Sequence, residues 1–134
     1  MQISHIEHIG IAVRSIEESL PYYQEVLGLK CYGIEEVKDQ KVRTAFFQAG
    51  QTKLELLEST DPDGAIGKFI EKRGEGIHHI AFAVKEIESA LEEARSKGIR
   101  LIDESPRLGA EGLHIAFLDS KSTHGVLTEL CENK

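Results

Sequence analysis

The chain has 134 residues and a formal net charge of −7, with 40% hydrophobic and 29% charged residues. These values are typical of one compact globular domain and argue against a disordered chain. The acidic balance, with no basic block, disfavours nucleic acid as a partner, and no apolar run approaches the roughly 18 residues of a membrane span. Without a signal peptide or a disulfide framework in the sequence, we expect a cytoplasmic protein.

The first predicted elements are a strand, a helix and three further strands. The first strand covers 6–13, where small residues follow His8 on one face and leave space for a cavity over the sheet. A capping box at 15–18 opens the helix, and we expect Pro21 to kink the helix or to delay its start. The remaining strands of this module are predicted over 30–37, 42–48 and 52–59.

The same order of elements is predicted a second time after a short linking helix at about 65–73. The second strand–helix pair covers 77–84 and 87–97, and it is followed by strands near 100–102, 113–118 and 126–130. The loops 106–112 and 120–125 are long enough to reach over a cavity. We therefore predict a single domain made of module 1 (about 5–59), the linker helix and module 2 (about 76–132).

The residues themselves repeat between the two modules. Sliding the chain by 71 residues lays His8 on His79, and the neighbouring Ile-x-x-Ala-Val pattern recurs with it. A second echo sets the stretch around Glu55 against the stretch around Glu129. One module has thus been duplicated, and each copy carries one histidine and one glutamate.

This duplication predicts a metal site. A lone strand histidine is more often a core residue, and a lone strand glutamate is more often exposed to water. Two modules that pair about a pseudo-two-fold axis, however, bring equivalent positions together. Two imidazoles and two carboxylates suit one divalent ion with open positions, with cobalt, nickel, zinc, manganese and iron as the candidates. The predicted metal ligands are His8, Glu55, His79 and Glu129.

Several longer runs of sequence resemble a known family. The runs 8–13, 22–29 and 54–57 resemble the vicinal oxygen chelate superfamily, which contains glyoxalase and its relatives. The runs 69–82, 106–110 and 121–130 resemble, within that superfamily, the family of methylmalonyl-CoA epimerases. The resemblance covers essentially the whole chain. It implies an α+β fold in which two tandem βαβββ modules pair into a curved mixed sheet around a central metal cleft.

The resemblance also implies a reaction. An epimerase of this family interconverts (2R)- and (2S)-methylmalonyl-CoA by abstracting the C2 proton and passing through a metal-stabilised enolate. Its implied cofactor is one divalent ion, here cobalt by preference, and a homodimer is expected. Some relatives carry a catalytic glutamate on the third strand of module 1, but the stretch 42–48 contains no carboxylate. Glu129 and Glu55 are therefore the expected catalytic groups.

Residues in the second module are expected to contact the substrate. The candidates for binding the substrate carboxylate or the CoA phosphates are Arg107, Lys121, Ser122, Thr123 and His124. The alternative, which is equally open, is that these are solvated loop residues without a role in binding. The rival functions are a glyoxalase I-type lactoylglutathione lyase, a ring-cleaving dioxygenase and a metal-free binding protein of the same fold. A dioxygenase needs only three protein ligands, and a metal-free protein would not keep all four ligand residues in register.

Overall fold

A computed structural model describes residues 1–132. The strands are β1 (Ile3–Ala12), β2 (Cys31–Val37), β3 (Val42–Ala49), β4 (Thr52–Ser59), β5 (Gly76–Val84), β6 (Arg107–Leu108), β7 (His114–Leu118) and β8 (Thr128–Glu132). The α-helices are α1 (Ile16–Leu20), α2 (Ala65–Arg73) and α3 (Ile87–Ser96). The predicted α+β class and the repeated βαβββ order are confirmed. Among the helices of residues 1–132, none is long and apolar enough to cross a membrane.

The chain separates into two compact units, and each of the strands β1 and β5 contributes residues to both. We call residues 9–78 the Glu55 unit. Residues 1–8 together with residues 79–132 form the His79 unit. The predicted grouping of two modules and a linker in one domain stays a prediction.

In the Glu55 unit the strand order is β2-β3-β4-β1. Strands β2, β3 and β4 pair antiparallel, and Glu55 lies directly opposite Phe46. Successive strand residues point to opposite faces, so Leu56 packs into the hydrophobic core with Ile16 of α1 while Glu55 points to the other face. Glu55 is buried there.

The first helix of the Glu55 unit begins at the predicted cap, and its α-helical hydrogen bonding is interrupted at Pro21. The Ser15 side chain accepts a hydrogen bond from the Glu18 backbone N–H at 3.2 Å. Pro21 has no backbone N–H and cannot continue the α-helical ladder. The chain continues instead as a π-helical turn over Pro21–Val26, with the Leu27 N–H donating to the Tyr22 carbonyl.

The cap at Ser15 gives a stability prediction. Ser15→Ala removes the acceptor of the Glu18 N–H, so the free energy of unfolding is expected to fall by about 1 kcal/mol. Urea denaturation measures the change. Ser89→Ala is the matched control, because Ser89 is exposed inside α3, where alanine favours the helix. A loss for Ser15→Ala no larger than that of the control would contradict the capping role.

In the His79 unit β8 lies between β5 and β7. It pairs parallel with β5 and antiparallel with β7. In this register Glu129 is paired with Ala81 of β5 and with Phe117 of β7. Leu130 points to the opposite face and packs with Val84 and Leu91 in the core beneath α3.

The strand predicted near 100–102 forms only as a single antiparallel bridge. Only Leu101 bridges to Leu118, and the short strand β6 forms instead at Arg107–Leu108, in a stretch predicted as loop. Backbone pairing ends next to Asp103, whose Oδ2 accepts the Phe117 N–H at 2.8 Å. A side chain thereby takes the place of a backbone acceptor, and strand pairing stops there.

Candidate metal centre

Glu129 is placed by the centre of a sheet and not by a loop. Its strand β8 is paired on both sides, and the residue is 3% exposed. An ionised carboxylate buried this deeply costs several kcal/mol unless charges or hydrogen bonds compensate it. The small Ala81 stands beside Glu129 on β5, so no large neighbour on that strand fills the space around the carboxylate.

Two histidines provide the compensation. His79 Nε2 lies 3.0 Å from Glu129 Oε1, and His8 Nε2 lies 3.5 Å from the same oxygen. The two Nε2 atoms are 3.1 Å apart, with the rings nearly perpendicular. Three of the four predicted ligands thus meet in one buried cluster of the His79 unit.

The spacing of these three atoms fits a shared metal ion. Bonds of about 2.1 Å to one ion separate neighbouring ligand atoms by about 3.0 Å at a right angle and about 3.4 Å at the tetrahedral angle. The observed separations are 3.0, 3.1 and 3.5 Å. Two imidazole nitrogens and one carboxylate oxygen are also a donor set that divalent zinc, cobalt and their neighbours accept. The residues present therefore fit a divalent ion.

The ionisation state of Glu129 suits a role as a metal ligand. Burial is the largest influence on its pKa and raises it, but the charge of His8 and hydrogen bonds from His79 and His8 outweigh burial and lower the pKa to about 2. The residue is consequently a carboxylate at neutral pH, the state that coordinates metal ions.

The fourth predicted ligand, Glu55, is buried on β4 in the Glu55 unit. Its role as a ligand stays a prediction. On the adjacent strand β3, the buried Thr44 points to the same face of the sheet as Glu55, because Thr44 pairs with Leu57, two residues along β4. The whole of β3 contains no carboxylate.

Of the predicted substrate contacts, Arg107 is connected to the cluster by packing against Phe117. Its guanidinium is 5.8 Å from the centre of the Phe117 ring, and that ring is 5.3 Å from the His79 ring. Arg107 Nε is 3.2 Å from Asp103 Oδ1 but is poorly aligned for a hydrogen bond. Arg107 thus places a positive charge over the face of the Phe117 ring, which in turn packs against the predicted ligand His79.

The other predicted contacts lie in the loop that leads into β8. Lys121 and His124 are exposed, and His124 has a left-handed backbone with φ of 60°. Ser122 and Thr123 use their hydroxyl groups within the protein: Ser122 Oγ accepts the Arg100 N–H at 2.9 Å, and Thr123 Oγ1 donates to the Val126 carbonyl. These two hydroxyls shape the loop, whereas Lys121 and His124 present their side chains to solvent.

One residue of this region is missed by the sequence analysis. Glu7 is buried, and its Oε1 lies 2.6 Å from Nδ1 of His8. A signal was present in the sequence, because Glu7 is a charged residue on the strand face that also carries Ile9, Ile11 and Val13. A charge on an otherwise apolar strand face indicates a buried partner.

Fold and site together define a class. Residues 7–117 match the family model of the Glyoxalase/Bleomycin resistance protein/Dioxygenase superfamily, so the chain belongs to that superfamily. Two successive βαβββ repeats and a buried cluster of histidine and glutamate agree with this assignment.

Individual relatives show which members of the superfamily the chain is similar to. The chain is 46% identical to an uncharacterized protein of Bacillus subtilis, over 98% of this chain and 94% of the relative. It is 32% identical to ethylmalonyl-CoA/methylmalonyl-CoA epimerase of Cereibacter sphaeroides, over 96% of this chain and 97% of that enzyme. A methylmalonyl-CoA epimerase solved with methylmalonyl-CoA and NH4+ superimposes with a TM-score of 0.95 at 37% identity, over 98% of this chain and 96% of that one. The resemblance inferred from the sequence is confirmed.

Proposed function

We propose that the protein is a metal-dependent epimerase that interconverts (2R)- and (2S)-methylmalonyl-CoA. The proposal is carried by the buried cluster of His8, His79 and Glu129 in a chain similar to methylmalonyl-CoA epimerases along nearly its whole length. A metal-free binding protein would gain nothing from burying a carboxylate at 3.0 and 3.5 Å from two imidazole nitrogens, because burial of the charge is costly.

The proposed cofactor is one divalent ion. His8, His79 and Glu129 would hold it, with Glu55 as the fourth ligand predicted from the repeat. When bound, the ion supplies a Lewis acid that stabilises the negative charge developing on the substrate oxygens. Cobalt is our first choice, and nickel, zinc, manganese and iron have compatible ligand preferences.

Epimerisation requires two proton-exchanging groups, one on each face of C2. We assign these roles to Glu129 and Glu55, since β3 offers no carboxylate. One carboxylate accepts the C2 proton and leaves an enolate, and the other, in its protonated form, returns a proton to the opposite face. The pKa of Glu129 is lowered to about 2 by the His8 and His79 side chains beside it, so in this position the carboxylate is a weak base. Its carboxylate therefore has to move off the histidines before it can act as a base.

Cationic and polar groups of the second module are assigned to the substrate. Arg107, with its guanidinium beside the Phe117 ring, suits the free carboxylate of a 2-carboxyacyl thioester. Lys121 and His124, exposed in the loop before β8, suit the CoA phosphates, and Ser122 and Thr123 shape that loop. A homodimer and a cytoplasmic location remain our predictions from the sequence.

The substrate class can be tested in deuterated water. Purified protein is offered methylmalonyl-CoA in one reaction and methylglyoxal–glutathione hemithioacetal in another. We expect deuterium to enter C2 of methylmalonyl-CoA, with slow or absent turnover of the hemithioacetal. Robust hemithioacetal turnover without deuterium entry would favour the lactoylglutathione lyase, and neither reaction in metal-loaded protein would favour a binding protein.

A further inference from the structure

The contact between Glu7 and His8 is a short, buried one between neighbours on β1. Glu7 Oε1 and His8 Nδ1 are 2.6 Å apart, and both residues are no more than 5% exposed. The two residues are consecutive on β1, and both belong to the His79 unit.

The contact determines which nitrogen of His8 carries the proton. A neutral imidazole has one N–H and one lone pair, and a carboxylate can only accept. At 2.6 Å from a carboxylate oxygen, Nδ1 must be the donor. In neutral His8, the form that can bind a metal ion, the lone pair is then on Nε2, the atom that lies 3.1 Å from His79 Nε2 and 3.5 Å from Glu129 Oε1. In the imidazolium form, whose charge lowers the pKa of Glu129, both nitrogens carry protons.

We propose that Glu7 is a positioning residue that holds His8 in the Nδ1–H form, with its Nε2 lone pair directed at the metal cluster. The inference rests on the metal site of the proposed function and adds to it a residue outside the ligand set. A carboxylate on the far nitrogen of a ligating histidine fixes the orientation of the ring and makes it a stronger ligand. Its buried negative charge also offsets part of the positive charge of a bound ion.

The arrangement is specific to the first copy of the repeat. In the second copy the position equivalent to Glu7 is occupied by His78. His78 has no carboxylate to accept a hydrogen bond from the His79 ring, and it packs edge-on against Phe69. Duplication alone therefore does not account for the carboxylate at position 7.

The same atoms allow a different arrangement, which the distance disfavours. Glu7, His8 and Cys131 could hold an ion at Nδ1, since one ligand atom from each lies within 4.8 Å of the others. Two ligands of one ion, however, are about 3.0 Å or more apart when the bonds are about 2.1 Å long. The 2.6 Å separation of Glu7 Oε1 and His8 Nδ1 is that of a hydrogen bond.

The test compares Glu7→Leu and Glu7→Gln with the wild type and with Cys131→Ala. Competition against a chromophoric chelator gives the dissociation constant for Co2+, and nitrogen-15 NMR of the metal-free protein gives the tautomer of His8. Glu7→Leu should weaken Co2+ binding about 10–100-fold and move the His8 proton to Nε2. Glu7→Gln, whose amide oxygen still accepts, should lose less, and Cys131→Ala should bind as the wild type does.

Three results would contradict the inference. An unchanged dissociation constant and tautomer in Glu7→Leu would overturn the inference. Weaker binding in Cys131→Ala, with a sulfur-to-cobalt charge-transfer band in the wild type, would place the ion on Nδ1 and overturn it too. If the wild type binds no Co2+, the proposed metal function fails and the inference fails with it. Should Glu7→Leu not fold, the metal-free wild type decides, because a His8 proton found on Nε2 instead of Nδ1 contradicts the inference.

Discussion

His79→Ala is expected to remove bound metal and epimerase activity together. His79 Nε2 lies within 3.1 Å of both His8 Nε2 and Glu129 Oε1, so its loss leaves the cluster with one imidazole. A Lewis acid stabilises a developing charge by several kcal/mol. Because 1.36 kcal/mol corresponds to a tenfold change in rate, the activity should fall by at least about a thousandfold. His8→Ala should behave in the same way.

Elemental analysis and activity measured on the same preparation test this expectation. His5→Ala is the matched control: His5 lies on β1 three residues before His8, and its Nδ1 is 2.8 Å from the Ser4 hydroxyl, outside the cluster. The His79 ring packs edge-on against Phe117, so circular dichroism should first establish that the variant is folded. A folded His79→Ala protein that keeps stoichiometric metal would contradict the assignment of His79 as a ligand.

Glu129→Gln is expected to separate the two roles of Glu129. The amide keeps an oxygen ligand of similar volume but is no longer a base, so metal should partly persist. The rate should nevertheless fall at least about 100-fold, the loss typical of a missing general base. The loss should also be unequal for the two epimers, because only one face of C2 loses its proton acceptor.

Single-turnover exchange of deuterium from the separate (2R) and (2S) substrates tests the role of Glu129. Glu55→Gln is the informative companion, since it should impair the opposite epimer if Glu55 serves the other face. Equal and modest losses from both epimers, with metal retained, would mean that Glu129 is a ligand only. That result would also agree with its pKa of about 2, which is low for a base at neutral pH.

Local sequence signals predicted the fold well where each signal acts by itself. The strand at 52–59 has the predicted bounds, and Ser15 caps its helix as expected. Pro21 interrupts the α-helical ladder because the missing N–H is a covalent property that packing cannot change. The repeat in the sequence likewise indicated that His8 and His79 would lie together, which a single strand could not reveal.

Features that depend on a distant partner were not predictable in this way. The strand expected near 100–102 is reduced to one bridge and ends beside Asp103, whose side chain accepts a hydrogen bond from the Phe117 N–H, a pairing that spacing along the chain does not indicate. Glu7 was missed for a different reason, since its partner His8 is the next residue in the chain. Alternation along β1 puts it on the face opposite His8, whereas its carboxylate in fact reaches the His8 ring.

The most direct measurement of the central claim is the metal dependence of deuterium entry into C2 of methylmalonyl-CoA. Protein stripped with a chelator is reloaded stepwise with Co2+, and exchange is measured at each step beside the amount of bound metal. We predict no exchange above the uncatalysed rate in stripped protein, and exchange that rises in proportion to bound metal up to one ion per chain. Full exchange in stripped protein, or metal binding without any gain in exchange, would contradict a metal-dependent epimerase.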